Sequence, residues 1–347
     1  MTKQALNAID LFAGCGGLSE GLRQAGFKVI AGVEADKYAA KAFQMNHQDT
    51  ALFEEDIRKL DTNKISGLLK GAPLHLLAGC PPCQGFSSIR KLNRKAPVFD
   101  ERNKLILEYY RFVEKLQPLT VMMENVPGLM DYVLFKKVIF NLGEIGYSVH
   151  YKVVDIARYG VPQRRKRLVL IGSRIGRIKI VDGSDAVKTV GDTIGDMQGI
   201  DIEKDELHKI YPNHSPRIQR MISLIPKNGG GRMSLPDEYI LDCHRKKNVG
   251  FNDVYGRLWW DRVSSTITGG CLNPSKGRFL HPIEDRCITA REAALLQTFP
   301  MTYKFPIDVP ISKLALLIGN ALPPSFSKIH AESIIQHIIE NYGRYFQ

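Results

Sequence analysis

No run of apolar residues in this chain approaches the ~20 needed to cross a membrane. The opening residues, Met1-Thr2-Lys3-Gln4, also lack the apolar stretch of a secretory signal. Both absences lead us to expect a cytoplasmic protein with no membrane partner. Cysteine is scarce, with six in 347 residues and no regular spacing, which argues for reduced thiols and against a disulfide framework. Cys80 and Cys83 form a single Cys-x-x-Cys pair, while Cys15, Cys243, Cys271 and Cys287 stand alone. Zinc needs four ligands and no second pair supplies them, so no metal site is expected. Acidic residues are the minority, 36 against 48 basic, for a net charge of +12. Such an excess favours a polyanionic partner. No internal repeat or low-complexity tract interrupts the chain, whose length suits one large domain with an insertion, or two domains.

What is present begins with an apolar stretch, residues 5–12, that reads as a buried strand running into Asp10-Leu11-Phe12-Ala13-Gly14-Cys15-Gly16-Gly17-Leu18-Ser19. Helical spacing resumes through Ala25, so the glycines occupy a strand-loop-helix turn that lets a ligand approach bare backbone. Position 19 is serine where a dinucleotide fingerprint wants glycine, and no Lys-Ser/Thr pair follows. A nicotinamide-dependent dehydrogenase is therefore a poor fit, and a P-loop is excluded. A second strand, 28–33, ends at Glu34, about twenty residues past the turn, where an acid commonly binds ribose hydroxyls. Residues 36–45 read as a helix, and Asp56-Ile57 as the close of a third strand.

A further strand, 74–78, leads into Gly79-Cys80-Pro81-Pro82-Cys83-Gln84-Gly85-Phe86-Ser87, where the prolines stop regular structure and present a cysteine at a strand end. Two readings stand for the Cys-x-x-Cys pair. One is thiol-disulfide exchange, for which Pro-Pro makes a poor helix start. The other is a single nucleophile, Cys83, with Cys80 a packing residue behind it, and partners elsewhere in the chain decide between them. The loop beyond holds Ser87, Arg90, Lys91 and Arg94, a basic segment suited to covering a phosphate backbone. After a helix at 103–116, strand 119–123 ends in Glu124-Asn125-Val126, placing a second carboxylate at a strand end. A helix over 133–145 and a strand to Asp155 follow, then Gln163-Arg164-Arg165-Lys166-Arg167 and a strand at 168–172. The alternation predicts an α/β fold: a doubly wound, mostly parallel, Rossmann-like sheet.

From residue 173 to 285 periodicity weakens and basic residues mix with aromatics. Twelve Lys or Arg stand against five acids between His208 and His281. This predicts a smaller irregular or β lobe that touches phosphates through residues such as Arg232, Arg245 and Arg257. Thr266-Ile267-Thr268 reads as a strand. Regularity returns with a helix capped by Thr289 and Glu292, a second helix ending at Gly319-Asn320, and a last helix, 327–342, with Ile334, Ile335, Ile338 and Ile339 facing the core. The expected domains are 1–172, 173–285 as a recognition lobe, and 286–347 returning to the first.

Taken together, these motifs resemble the cytosine-5 DNA methyltransferase family over residues 8–172 and 255–330. The resemblance implies S-adenosylmethionine as cofactor, with S-adenosylhomocysteine as product. It assigns Phe12, Gly14, Gly16, Gly17, Glu34, Asp56, Ile57, Pro81 and Asn320 to cofactor binding. Cys83 becomes the nucleophile, Glu124 the group that holds the base, and Gln163, Arg165 and Arg167 the Gln-x-Arg-x-Arg motif, with Arg165 near the base carbonyl. Cys80 stands where the family commonly has glycine. The implied activity is methyl transfer to carbon 5 of a flipped-out cytosine in a specific duplex sequence. The implied setting is a monomeric modification enzyme acting separately from a cognate restriction endonuclease. An RNA cytosine-5 methyltransferase and an inactive DNA-binding regulator are the alternatives.

Overall fold

Strands covered on both faces of a sheet carry apolar runs, and β1 (Leu6–Leu11), β4 (Leu76–Gly79) and β5 (Thr120–Asn125) bury Ala8-Ile9, Leu76-Leu77-Ala78 and Val121-Met122-Met123. They form the centre of a seven-stranded sheet in the computed structural model of the protein, which describes residues 6–82, 101–197, 204–241, 245 and 253–345. With β2 (Phe27–Val33), β3 (Ala51–Phe53), β6 (Ser148–Asp155) and β7 (Lys166–Ser173), the order is β3-β2-β1-β4-β5-β7-β6. Strands β1 to β5 run parallel, and β7 lies antiparallel to both β5 and β6. The sheet is the mostly parallel, doubly wound arrangement expected. The chain builds outward from β1 through β2 to β3, then returns to β4 and builds the other way. The switch point therefore lies between β1 and β4, where the carboxyl ends of the strands open a crevice for ligands.

Helices α1 (Gly17–Ala25), α2 (Lys37–Asn46), α3 (Thr62–Ser66), α4 (Leu105–Leu116) and α5 (Val133–Glu144) connect the strands. In α4 the buried residues Ile106, Tyr109, Phe112 and Val113 recur at helical spacing, which turns one apolar stripe onto the sheet. There they join Leu77, Val121 and Met123 in the main core. The third strand lies at 51–53 rather than at Asp56-Ile57, because the Asp56 carboxylate accepts the Arg58 backbone N–H at 3.0 Å and turns the chain there. In the long helix α9 (Pro324–Tyr345), Ile334 and Ile338 are buried as expected, but Ile339 is 62% exposed. At 3.6 residues per turn, the fourth isoleucine of that run falls outside the buried stripe.

The chain divides into two compact units, the first comprising residues 1–159, 166–183 and 322–347, and the second 160–165 and 184–321. The first unit extends past residue 172 because the next segment stays on the sheet: the Ile180 N–H bonds His150 Nδ1 at 3.1 Å, and Lys152 pairs with Asp182 at 2.7 Å. Within the second unit lie α6 (Pro216–Leu224), α7 (Ala290–Leu296) and α8 (Ile311–Asn320), with isolated bridges but no named strand among the described residues. Its small core gathers Met221, Ile222, Ile225, Leu235, Tyr255 and Leu280. Thr289 and Glu292 form the capping box of α7. Thr266-Ile267-Thr268 is not a strand: the Ile267 N–H bonds the Gln163 side chain and its carbonyl the Arg165 guanidinium, so neither is available to a ladder.

Candidate active site

The glycine turn follows directly from β1. Phe12, Gly14 and Gly16 all take left-handed backbone, with φ of 60°, 56° and 93°. Glycine adopts that region without strain, and a Cβ built on Gly14 would meet nothing within 4 Å, so this side of the turn is open. The Ala13 N–H bonds the Val33 carbonyl at 2.9 Å, tying the turn to the end of β2. That register brings Glu34 beside it: the Glu34 carboxylate accepts the Gly14 N–H at 2.8 Å and the Asp36 N–H at 2.7 Å. Burial raises the Glu34 carboxyl above the usual range, and those two amides offset part of the rise. Asp56, past β3, is held by Arg58, whose Nε lies 3.0 Å from both carboxylate oxygens. This pairing keeps its carboxyl below the ordinary value. Ile57 is buried in the core, and its carbonyl accepts Arg111 Nη2 at 2.6 Å.

Across the switch point, the Cys80 N–H bonds the Leu11 carbonyl at 3.3 Å, so the strand leading toward Cys83 ends against the glycine turn. Cys83, Ser87, Arg90, Lys91 and Arg94 lie outside the described residues. Asn125 at the end of β5 donates from Nδ2 to the Pro81 carbonyl at 2.8 Å, and its Oδ1 accepts the Val126 N–H at 2.8 Å. One half of that amide ties the start of the proline segment to the end of β5, and the other holds the turn into Val126. Glu124, 8% exposed, meets Arg167 Nε at 2.7 Å. Burial, then the charges of Glu124 and Asp10, push the Cys80 thiol well above the usual thiol range. A thiol held protonated is a poor nucleophile, in keeping with a packing role for Cys80. Tyr109, unnoticed in sequence, donates its hydroxyl to the carbonyls of Leu77 and Met122 at 3.2 and 3.0 Å, bracing β4 against β5.

In the second unit the Gln-x-Arg part of the motif is engaged with backbone. Arg165 Nη1 donates to the Ile267 and Gly319 carbonyls at 3.0 and 2.9 Å. The Gln163 amide bonds the Gln297 side chain at 2.6 Å, and Gln297 in turn donates to the Ile318 carbonyl at 2.6 Å. Gln297 was not foreseen; its signal was a polar residue inside the apolar run Leu295-Leu296-Gln297-Thr298-Phe299. Asn320 is exposed at the end of α8.

Two of the expected phosphate contacts need correction. Arg257 is fully buried, and its guanidinium donates to the carbonyls of Ile225, His281, Glu284 and Ile222 and to Asp285. It serves as an internal bracket of the second unit and presents no surface to DNA. Arg232 is likewise buried, at 5% exposure. Charge counting missed both because it cannot tell a solvated guanidinium from a buried one, such as Arg257, that satisfies backbone carbonyls. Arg245 is exposed and donates to the Asp237 carbonyl.

A family model described as C-5 cytosine-specific DNA methylase matches residues 6–336. The chain is 36% identical over 339 residues to the Type II methylase M.HgiDII of Herpetosiphon aurantiacus, covering 94% of each. It is 31% identical over 340 residues to the Type II methyltransferase M1.HphI of Haemophilus parahaemolyticus, covering 96% of this chain and 87% of the relative. Among solved structures, a DNA modification methyltransferase encoded within a prophage (E. coli) matches with a TM-score of 0.66 at 26% identity, covering 97% of this chain and all of that one. The S. pombe Dnmt2 methyltransferase shares the fold with a TM-score of 0.66 at 16% identity, over 96% of this chain and 99% of that one.

Proposed function

Because the chain belongs to the C-5 cytosine-specific DNA methylase family, we propose that it methylates carbon 5 of a flipped-out cytosine in a specific duplex sequence, with Cys83 as the nucleophile. The observation that carries this reading is the pairing, at one switch point, of the open glycine turn with the strand that leads to Cys83. The resemblance of the chain to two relatives named as Type II enzymes supports a modification role alongside a restriction endonuclease.

The residues of the turn suit an adenosylated cofactor. Carboxylates at Glu34 and Asp56 offer acceptors for ribose hydroxyls and an adenine amino group, and the open face of Gly14 leaves room for a ligand. Phe12, Gly16, Gly17, Ile57 and Pro81 would complete the binding surface, with Asn320 assigned by its motif. S-adenosylmethionine, when bound, supplies an electrophilic methyl group.

The remaining chemistry belongs to the chain. Carbon 5 of cytosine is too electron-poor to be a nucleophile unaided. The Cys83 thiolate adds its electron pair to carbon 6, and the charge passing onto the ring is stabilised by a proton held at ring nitrogen 3 by Glu124. Once carbon 5 carries the methyl group, a solvent base takes its proton. The electrons of that bond restore the double bond between carbons 5 and 6, and the bond from carbon 6 to sulfur breaks to release the Cys83 thiolate. Arg167, at 2.7 Å from Glu124, holds that carboxylate in position, while Arg165, bonded to two carbonyls, anchors the motif. Extracting the base from the stack costs a few kcal/mol, to be offset by protein contacts with the strand.

Bisulfite sequencing of DNA from cells expressing the protein tests the reaction and reports its sequence context. Duplex methylation that disappears in Cys83→Ala is the expected result. Methyl transfer to tRNA but not to duplex DNA would assign the RNA substrate instead, and an intact biological effect in Cys83→Ala would assign a regulator.

A further inference from the structure

The turn that carries Gly14 and Gly16 is tied down by two side chains that have no part in the chemistry above. Asp10 lies within β1 and is fully buried, a costly place for a carboxyl unless its oxygens are partnered. Its Oδ2 accepts the Ser19 hydroxyl at 2.7 Å, and the Ser19 backbone N–H also faces the carboxyl. Ser19 is the third residue of α1, so that N–H is one of the first-turn donors that no intrahelical carbonyl reaches. The N-cap is Gly16, which makes no side-chain cap bond. Asp10 therefore supplies, from the strand, the acceptor that a serine or aspartate cap supplies elsewhere.

The same bond bridges nine positions of the chain and encloses all three left-handed residues of the turn, Phe12, Gly14 and Gly16. Dinucleotide folds put a third glycine near this point so that helix and strand can pack closely. Here a polar tie stands in its place.

We propose that Asp10 and Ser19 form a latch that shapes the glycine turn for its cofactor, which makes both of them positioning residues for cofactor binding. The inference rests on the cofactor reading of the turn given above. Asp10 Oδ1 has no hydrogen-bond partner among the described residues. Burial pushes this acid up to about 7, with the Ser19 bonds offsetting part of the rise and the charge of Glu34 adding to it. A proton on Oδ1 leaves Oδ2 free to keep accepting from Ser19.

Calorimetric titration of the whole protein with S-adenosylhomocysteine, alongside thermal unfolding, tests the latch. Ser19→Ala and Asp10→Ala should each weaken binding about tenfold. The double variant should bind about as Asp10→Ala does, because both changes remove one shared bond. Asp10→Asn keeps an acceptor for the Ser19 hydroxyl and should stay within about threefold of wild type. In steady-state kinetics, KM for the cofactor should rise while KM for DNA stays unchanged. Folded single variants that bind as tightly as wild type, with only a lowered melting temperature, would reduce the pair to a structural role and overturn the proposal, as would two independent, additive effects. If Asp10→Ala does not fold, Ser19→Ala and Asp10→Asn make the same comparison. Wild type that binds no S-adenosylhomocysteine would overturn the cofactor reading and the latch with it, whereas tight wild-type binding with indifferent variants would overturn the latch alone.

Discussion

Individual side chains in this protein do work that their residue type does not announce. Arg167 and Arg165 stand two positions apart, yet one pairs with a carboxylate and the other with two carbonyls. Arg167→Ala should leave a nearly buried Glu124 without its cation and lower methyl transfer by roughly a hundredfold, measured as tritium incorporation into duplex DNA. Arg257→Ala should cost at least about 3 kcal/mol, because it strands several buried carbonyls. A urea titration reads that loss, and the salt slope of DNA binding should not change. Asp10 makes a pH prediction. Unfolded, it titrates near 3.8; folded, near 7. Its contribution to stability is thus fully present below the unfolded value and is lost as pH rises through the folded one. From about pH 5.5 to 7.5 the wild type should lose roughly 1–2 kcal/mol relative to Asp10→Asn, and parallel pH profiles for the two proteins would count against this.

At the scale of elements, α1 is the piece on which the site depends, since its first turn frames the glycine segment and its outer face receives α9. A Cβ on Gly21 would fall 2.0 Å from Ser327 Oγ and 2.4 Å from the Pro324 carbonyl. Gly21→Ala should force α1 and α9 apart and cost roughly 1–3 kcal/mol. The loss should appear as a lower urea midpoint, with weaker cofactor binding as its companion. The capping box of α7 was readable from Thr289 and Glu292 because it depends on residues three apart in one turn. The latch between Asp10 and Ser19 was not, although an acid inside an otherwise apolar strand marked the place. Its partner is chosen by how a helix packs back on the strand before it.

For the molecule as a whole, the net charge of +12 predicts DNA binding that weakens steeply with salt. A protein making several phosphate contacts loses about 10³-fold in affinity between 50 and 200 mM, which fluorescence anisotropy with duplex DNA will measure. Some of the positive charge is spent internally, on Arg257 for example, so the slope should count fewer phosphates than the basic residues suggest.

The order of strands and helices, the glycine turn and the succession of motifs were all written in local pattern, because alternation, turn chemistry and motif spacing involve residues near one another in the chain. Those patterns sufficed to anticipate a doubly wound sheet and the identity of the family. What only the folded chain decided was partnership: Glu124 with Arg167, Gly14 with Glu34, Asn125 with Pro81, and Arg257 with the carbonyls around it. Such pairs join separate elements, and which donor reaches which acceptor is set by sheet register and helix packing, quantities that no single stretch of sequence contains.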